Sequence, residues 1–280
     1  MSVFERVCMS AETIPLPAQG HRPLPGELPA SLAFRRRIVI NAQRAGEATT
    51  VRAAVEDDFH HFRIEVRGVA GLVASVVGDA PRHPYTLCPS ATGELTRLIG
   101  MPLNRIANAV TRFTNATEQC THLFDLAGLA IAAAARGTVQ RQYDIRIAQR
   151  EMHGRTQPQL WRDGELLLTW EVNDDLIEAP PPYAGVNLRA GLARWALTTL
   201  PEDEAEAALV LRRCTIIALG RSRNLDAQVH AKPSGLCFAQ QVHRAEQALR
   251  VIGSTRDFSA SAQPLCAHDR EWLAALAAPV

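Results

Sequence analysis

The stretch Phe62-Arg-Ile-Glu-Val-Arg67 decides the fold class, because apolar and charged side chains alternate along it without a break. A period of two is that of a β-strand with one buried and one solvated face. Similar alternation occurs before it in Arg37–Ala42 and Thr50–Glu56, and Leu72–Val77 is a further short apolar strand. Successive strands with short links predict an antiparallel meander.

Helical patterns follow this meander. The strongest is Ala116–Arg136, where Asn115 can cap the first turn, Glu118 lies three residues on, and Gly137 stands at the usual end position. A shorter helix is predicted at Ala91–Ile99. Strands followed by helices predict an α+β fold, with helices packed on an antiparallel sheet.

The second half starts again with strands and ends with helices. Residues 143–147 alternate, and Asp163-Gly164 is a hairpin signal between strands at 159–161 and 166–172. A short buried strand is predicted at Cys237–Gln241. Four further helices are predicted at Asn187–Leu200, Glu202–Leu219, Arg244–Ile252 and Asp269–Ala277.

The two halves are also similar locally. Gly78–Tyr85 and Ile177–Tyr183 both run through prolines to a tyrosine before a helix, and Gln119–Leu123 is similar to Arg213–Ile217. One interpretation is an ancient duplication; the other is chance similarity between Ala- and Leu-rich segments. A duplication predicts a double hot-dog-like arrangement with a pocket between the halves.

This interpretation divides the chain into four parts: an extended Pro-rich arm (1–30), two α+β repeats (31–137 and 138–260) and a C-terminal helix (261–280). The arm is either an unfolded tail or a segment that wraps a second copy of the chain. If the arm wraps a second copy, the protein is a homodimer, and this is what we expect.

Composition narrows the class of function. The 30 basic and 29 acidic residues nearly cancel, so nothing in the charge favours binding of nucleic acid. The start of the chain lacks the apolar run of a secretion signal, and no window is apolar enough for a membrane span. Six widely spaced cysteines indicate thiols in a reducing compartment. We therefore expect a cytoplasmic protein.

The sequence also lacks the common motifs for nucleotides and metals. It contains no phosphate-binding loop, no dinucleotide fingerprint after a strand and no H-E-x-x-H. His60 and His61 are consecutive on a predicted strand and must point to opposite faces. We therefore expect neither a cofactor nor a metal, and a small organic molecule as the partner.

The best catalytic candidate is Cys120-Thr-His-Leu-Phe-Asp125. On a helix, His122 and Asp125 share a face, so the carboxylate could orient the imidazole as in catalytic dyads. The alternative is a histidine that bonds only its own backbone or a neighbour. Tyr85 is a candidate proton donor and Tyr183 a candidate substrate contact, since each follows a proline in a loop before a helix. Either tyrosine can equally be a packing residue.

Polar loops after two predicted helix ends supply further candidates. Arg223 follows Gly220, and Arg256-Asp257 follows Gly253. An arginine offers a fixed donor fork for a carboxylate or a phenolate. We predict that Arg223, Arg256 and Asp257 bind substrate, although an Arg–Asp pair in a loop is often only structural.

Residues from about Arg35 to Gly137 resemble a bacterial family known only as a domain of unknown function. Four motifs carry the resemblance: Arg35-Arg-Arg-Ile38, Pro84-Tyr85 with Cys88-Pro89, Leu98-Ile-Gly100 and Cys120-Thr-His-Leu123. The whole chain looks like the phenylcoumaran γ-formaldehyde lyases of lignin-degrading bacteria. That resemblance implies a cofactor-independent carbon–carbon cleavage, with His122 and Asp125 as the base and Tyr85, Arg223 or Arg256 as donors.

The sequence is also compatible with two other classes of function. One is an acyl-CoA thioester hydrolase or binder, which suits strands wrapped on a long helix. The other is a non-catalytic protein that binds a small molecule. A thioester enzyme predicts basic residues at a pocket mouth and a narrow tunnel, whereas the lyase predicts a ring-sized pocket with a polar end.

Overall fold

The computed structural model of the protein describes residues 32–151 and 154–276. It begins with four strands, β1 (Ala33–Ala45), β2 (Ala48–Asp57), β3 (His61–Val69) and β4 (Leu72–Arg82). Each strand pairs antiparallel with the next one along the chain. The meander predicted from the period-two pattern is thus confirmed.

Two helices complete the first half. The single turn α1 (Val110–Phe113) precedes α2 (Thr121–Arg136). The predicted start of α2 was five residues too early, because the side chain of Asn115 accepts the Thr117 N–H (3.0 Å) and caps a separate short 3-10 turn. The predicted end is confirmed, since Gly137 has the left-handed φ of 71°.

The second half adds six short strands and three helices. They are β5 (Gln140–Ala148), β6 (Arg155–Thr156), β7 (Pro158–Arg162), β8 (Glu165–Thr169), β9 (Glu171–Asn173), β10 (Leu176–Ala179), α3 (Leu192–Thr199), α4 (Glu202–Ile217) and α5 (Arg270–Ala274). The hairpin predicted at Asp163-Gly164 joins β7 to β8.

Seven strands form one antiparallel sheet in the order β4-β3-β2-β1-β5-β7-β8, and β10-β9-β6 form a small second sheet. The central pair β1–β5 joins the two halves. Helix α2 packs on β1 to β4, and α4 packs on β5, β7 and β8. The α+β prediction, an antiparallel sheet with packed helices, is confirmed.

The proposed repeats share this layout, in which a 16-residue helix lies over the strands of its own half. One of the short sequence matches does not occupy equivalent positions in the two halves. Cys120 immediately precedes α2, whereas Cys214 lies near the end of α4. The duplication, and with it the double hot-dog-like arrangement, stays a prediction that this match no longer supports.

The opposite face of the sheet is covered by the C-terminal segment. Asp269 accepts a hydrogen bond from His61 Nε2 (2.9 Å) and one from Arg63 on β3. Asn41 on β1 donates to the Leu273 carbonyl in α5 (3.2 Å). His61 therefore points away from the α2 side of the sheet, as its position on the strand predicted.

Several helix predictions were wrong. Residues Arg244–Ile252 form no helix, because the Arg250 N–H bonds the Val229 carbonyl and the Val251 N–H bonds the Pro84 carbonyl. The predicted helix at Ala91–Ile99 is a 3-10 segment, and the strand at Cys237–Gln241 is a 3-10 turn. Helices α3 and α5 are shorter than predicted.

Three predictions concern the chain ends, the cysteines and the membrane. The Pro-rich arm, 1–30, lies outside the described residues, as does the end of the C-terminal helix from residue 277. The five cysteines in the described part are free thiols. Among the described residues, no helix combines the length and apolar character needed to cross a bilayer.

Gly128 lets α2 approach the segment before α1. A Cβ atom at this position would lie 2.3 Å from the Ala107 carbonyl oxygen, which is far inside contact distance. We expect Gly128→Ala to lower the free energy of unfolding by about 1–3 kcal/mol, the usual cost of overpacking. Urea denaturation measures it, with Gly93→Ala as control because a Cβ there meets nothing within 4 Å. Equal midpoints for the two variants would contradict the close approach.

Candidate functional site

Asp57, at the end of β2, organises the turn into β3. Its Oδ1 accepts the backbone N–H groups of Phe59 (2.7 Å) and His60 (2.8 Å), and its Oδ2 accepts Arg36 Nε (2.8 Å). Asp57 is fully buried and Arg36 nearly so. Burial by itself would raise the pKa of Asp57, but Arg36 and then His60 hold it well below its ordinary value. Asp57 is therefore a permanent anion.

His60 lies in this turn, and Asp57 orients its ring. Its Nδ1 lies 3.1 Å from Asp57 Oδ1, and because Asp57 is ionised this nitrogen must carry the proton. The His60 ring stacks on the His122 ring, with centroids 3.7 Å apart and planes 27° apart. Asp57 thus orients His60, and His60 in turn supports one face of His122.

His122 lies in the first turn of α2, and its Nε2 is buried with no hydrogen-bond partner among the described residues. Burial of the ring, followed by the charges of His60 and Arg36, holds the pKa of His122 well below 6.5. The imidazole is therefore neutral at physiological pH. In the tautomer that carries its proton on Nδ1, the unpaired Nε2 of a neutral imidazole can accept a proton from a bound molecule.

The predicted dyad of His122 and Asp125 is not formed. Asp125 instead pairs with Arg213 of α4 (Nε–Oδ2 2.7 Å, Nη2–Oδ1 3.3 Å). Helical spacing does bring His122 and Asp125 to one cavity, but His122 turns towards the β2–β3 turn. The prediction missed this because Arg213 comes from a helix 88 residues away.

Three neighbouring cavities that share lining residues lie along α2 and α4, and we call them together the cleft; the cavity at His122 is the smallest of its three sections. Its volume is about 30 Å³, with Arg36, Asp125 and Arg213 as its polar lining. Asp125 and Arg213 also border the next section, of about 80 Å³. That section shares Glu206 with a third, of about 180 Å³. The walls between are apolar, formed mainly by Leu129, Leu209 and Val210.

Neither predicted tyrosine lies in this cleft. Tyr85 is half-buried after β4, and its hydroxyl donates to Gln228 Oε1 (3.0 Å). Tyr183 is buried, donates to Glu204 Oε1 (2.6 Å) and packs against Trp170 and Trp195. Burial raises the pKa of both tyrosines. Tyr183 is therefore a core residue, in line with the packing alternative.

The three predicted substrate contacts do come together, but at another place. Arg223, Arg256 and Asp257 line a separate cleft of about 230 Å³. Phe59 also lines that cleft, and its ring makes an edge contact with the His60 ring, with centroids 6.1 Å apart. Asp257 also pairs with Arg221 (3.2 Å). His122 is not among the residues that line this cleft, so the three predicted contacts and His122 lie in separate cavities.

The described residues contain one cluster with the composition of a metal site. Donor atoms of Asp57, His60 and His122 all lie within 4.8 Å of one another. Asp57, however, already accepts two backbone N–H groups, His60 and the guanidinium of Arg36. A cation would compete with that fixed positive charge, so the arrangement suits proton transfer better than metal binding.

Sequence reasoning missed Arg36, Asp57 and Arg213. The spacing Asp57-Asp-Phe-His60 between two strands was a usable signal, because an aspartate at this position often bonds the following backbone N–H groups. Arg36 had no such signal, since its neighbours Arg35 and Arg37 look equivalent in the sequence. Arg36 differs from Arg35 and Arg37 only in the face of the strand to which its side chain points.

The fold and this site define an antiparallel α+β protein with a buried Asp–His–His cluster beside an interhelical cleft. Residues 35–136 match the model of a family described as a protein of unknown function, DUF2889. No curated protein matches the chain. The matched segment is just over a third of the chain and contains Arg36, Asp57, His60 and His122, whereas Arg213 and the rest of α4 lie beyond it.

The lowered pKa of His122 has a consequence for stability. Below pH 6.5 the unfolded chain binds a proton at this histidine that the folded protein does not, so stability falls as the pH drops. The loss is at most about 1.4 kcal/mol per pH unit. Between pH 7.5 and 5.5 we expect wild-type protein to lose more stability in urea than His122→Ala. Equal losses would show that His122 ionises normally in the folded protein.

Proposed function

We propose that the protein is a cytoplasmic, cofactor-independent lyase that releases formaldehyde from a phenylcoumaran-type alcohol derived from lignin. The observation that carries the proposal is the neutral His122, whose buried Nε2 is unpaired and whose side chain lines the smallest section of an apolar cleft. A base of this kind, a nearby cationic donor and apolar walls are what such a reaction needs from a protein.

The substrate supplies its own electron sink. Its phenolate oxygen pushes electrons through the ring, the benzylic C–O bond of the ether breaks, and a quinone methide with a second phenolate forms. His122 then takes the proton of the γ-hydroxyl, the bond between the β- and γ-carbons breaks, and formaldehyde leaves. The electron pair of that bond forms the central double bond of a stilbene and restores the aromatic ring.

Arg213 is the donor that we assign to the released phenolate. It lines the cavity beside His122, and its partner Asp125 is partly exposed, so the ion pair can open towards a ligand. Arg36 is excluded from this role because it is fixed on Asp57. Arg213 therefore takes the place that the sequence prediction gave to Tyr85, Arg223 or Arg256.

The space at His122 sets a condition on the mechanism. About 30 Å³ is too small for an aromatic ring, since an engineered cavity of about 150 Å³ is needed for benzene. Binding therefore requires side chains of α2 and α4, such as Leu129 and Val210, to move apart. Movements of this kind on ligand binding are common for side chains.

The experiment that tests the proposal is an assay of purified protein with a dimeric phenylcoumaran alcohol. Formaldehyde and the stilbene are measured separately, and we expect them in equal amounts without added metal or coenzyme. A chelator in one reaction controls for metal carried through purification. If no formaldehyde forms with either enantiomer of the alcohol, the proposed lyase activity is wrong.

A second candidate is an acyl-CoA thioester hydrolase or binder. The observation that favours it is the middle of the cleft, where Arg212 and Arg213 adjoin the apolar walls of Leu209 and Val210. Basic residues can bind the phosphates of CoA while the walls hold an acyl chain. Release of free CoA thiol from a panel of acyl-CoA compounds tests this candidate in the same preparation.

We also propose that the protein is a homodimer. Light scattering of the protein as it elutes from a size-exclusion column measures the mass of the assembly.

A further inference from the structure

The far end of the cleft is a cavity of about 180 Å³ next to the start of α4. Its walls include Ile106, Leu197 and Leu200, and its polar end consists of Arg136, Glu202 and Glu206. This volume is close to the roughly 150 Å³ that holds one benzene ring in an engineered cavity. The cavity therefore has the size of a single aromatic ring with one polar end.

Its polar end carries buried groups that lack hydrogen bonds. Among the described residues, Nε and Nη2 of Arg136, Oε1 of Glu202 and Oε2 of Glu206 make none. Arg136 lies near both carboxylates, with Nη1 3.0 Å from Glu206 Oε2 and Nε 3.5 Å from Glu202 Oε1. In these ion pairs the opposite charges attract each other, but the donor and acceptor atoms are not aligned for hydrogen bonds. Buried polar groups normally find partners, so a small movement of these side chains would let a polar atom of a ligand, or a water molecule, pair with them.

Glu206 is held in place from the other side. The hydroxyl of Tyr143, on β5, donates to Glu206 Oε1 (2.6 Å), and Arg141 Nη1 donates to the Tyr143 hydroxyl (3.3 Å). One carboxylate oxygen is therefore occupied, and Oε2 remains for a further donor. Burial raises the pKa of Glu206, which strengthens it as a proton acceptor.

The charges restrict the ligand to a neutral group. An anion would meet Glu202 and Glu206, which line the cavity and lie within 3.5 Å of Arg136. A cation would meet Arg136. A hydroxyl can donate to Glu206 and accept from Arg136 at the same time. We infer that this end of the cleft binds the neutral phenol ring of an aromatic ligand, with its hydroxyl between Glu206 and Arg136.

The assignment of this ring to the substrate rests on the proposed function. Glu206 precedes Arg213 by seven residues in α4, which is about 10 Å along the helix. A two-ring molecule can therefore reach from Glu206 towards the end where His122 and Arg213 lie. Glu206 then takes the phenol proton and becomes neutral, and Arg136 stabilises the phenolate so formed, which starts the electron flow described above.

Ligand-observed NMR titrations of the protein with 4-methylphenol and with toluene test the inference without turnover. We expect 4-methylphenol to bind at least tenfold more tightly than toluene. Arg136→Met should remove this preference, and Leu197→Phe should abolish binding of both compounds by filling the ring space. Arg105→Met is the matched control, since Arg105 pairs with Glu202 from an exposed position and should leave binding unchanged. Circular dichroism confirms that each variant is folded.

The outcomes separate this inference from the lyase proposal. Equal affinity for the two compounds, or binding that Leu197→Phe leaves intact, overturns the phenol site and leaves water as the occupant. If 4-methylphenol binds as expected but the phenylcoumaran alcohol yields no formaldehyde, the phenol site stands and the lyase is wrong. If Arg136→Met and Leu197→Phe release formaldehyde at the wild-type rate, the lyase stands and the phenol site is wrong.

Discussion

His122→Ala is expected to slow formaldehyde release from the phenylcoumaran alcohol by at least 100-fold, because a positioned general base typically contributes 10²- to 10⁴-fold. The expectation rests on its neighbours: Asp57 orients His60, the His60 ring stacks on the His122 ring, and Nε2 of His122 is buried without a hydrogen-bond partner. The measurement is the initial rate of formaldehyde formation under saturating and limiting substrate. We expect kcat to fall more than KM rises, since the proton is transferred after binding.

A matched control for His122 is His243→Ala. His243 is exposed and lines none of the three sections of the cleft, so its removal should leave the rate unchanged. His122→Gln keeps a polar side chain of similar reach but cannot act as a base, and it should be as slow as alanine. A His122→Ala protein that is folded and retains the wild-type rate would mean that another group accepts the proton.

Asp57→Ala is expected to lower the free energy of unfolding by about 3–5 kcal/mol, the usual cost of removing one partner of a buried ion pair. Arg36 would keep its charge in the core, with only 4 % of its side chain exposed and no carboxylate against it. The N–H groups of Phe59 and His60 would lose their acceptor as well. Urea denaturation at pH 7.5 measures the loss.

The control for Asp57 is Asp79→Ala, because Asp79 is 63 % exposed and lies 3.9 Å from Arg63. An exposed pair contributes little, so we expect a change below about 0.5 kcal/mol. The double variant Arg36→Met/Asp57→Ala should recover much of the lost stability by removing the unpaired charge. A loss below about 1 kcal/mol for Asp57→Ala alone would contradict the assigned role of the pair.

Much of the first half could be predicted from local pattern. Alternation in Phe62–Arg67 gives a strand because successive side chains point to opposite faces, and β1 to β4 follow the same rule. Gly137 ends α2 because glycine tolerates the left-handed conformation there. These features depend on residues close together in the chain.

The second half was less predictable for a physical reason. Residues Arg244–Ile252 have the composition of a helix, yet their backbone groups bond Val229 and Pro84. Partners so far away in sequence leave no periodic signal. The same holds for the cleft, in which Asp125 meets Arg213 across two helices.

Local sequence alone therefore determined the fold class and the strand faces, because each depends on spacing along one element, and it indicated His122 as a candidate base. The tertiary structure decided which groups surround that histidine. It brought Asp57 and His60 to His122 in place of Asp125, and it set Arg223, Arg256 and Asp257 in another cleft. Contacts between distant elements depend on how the sheet and helices pack, and no short stretch of sequence encodes that packing.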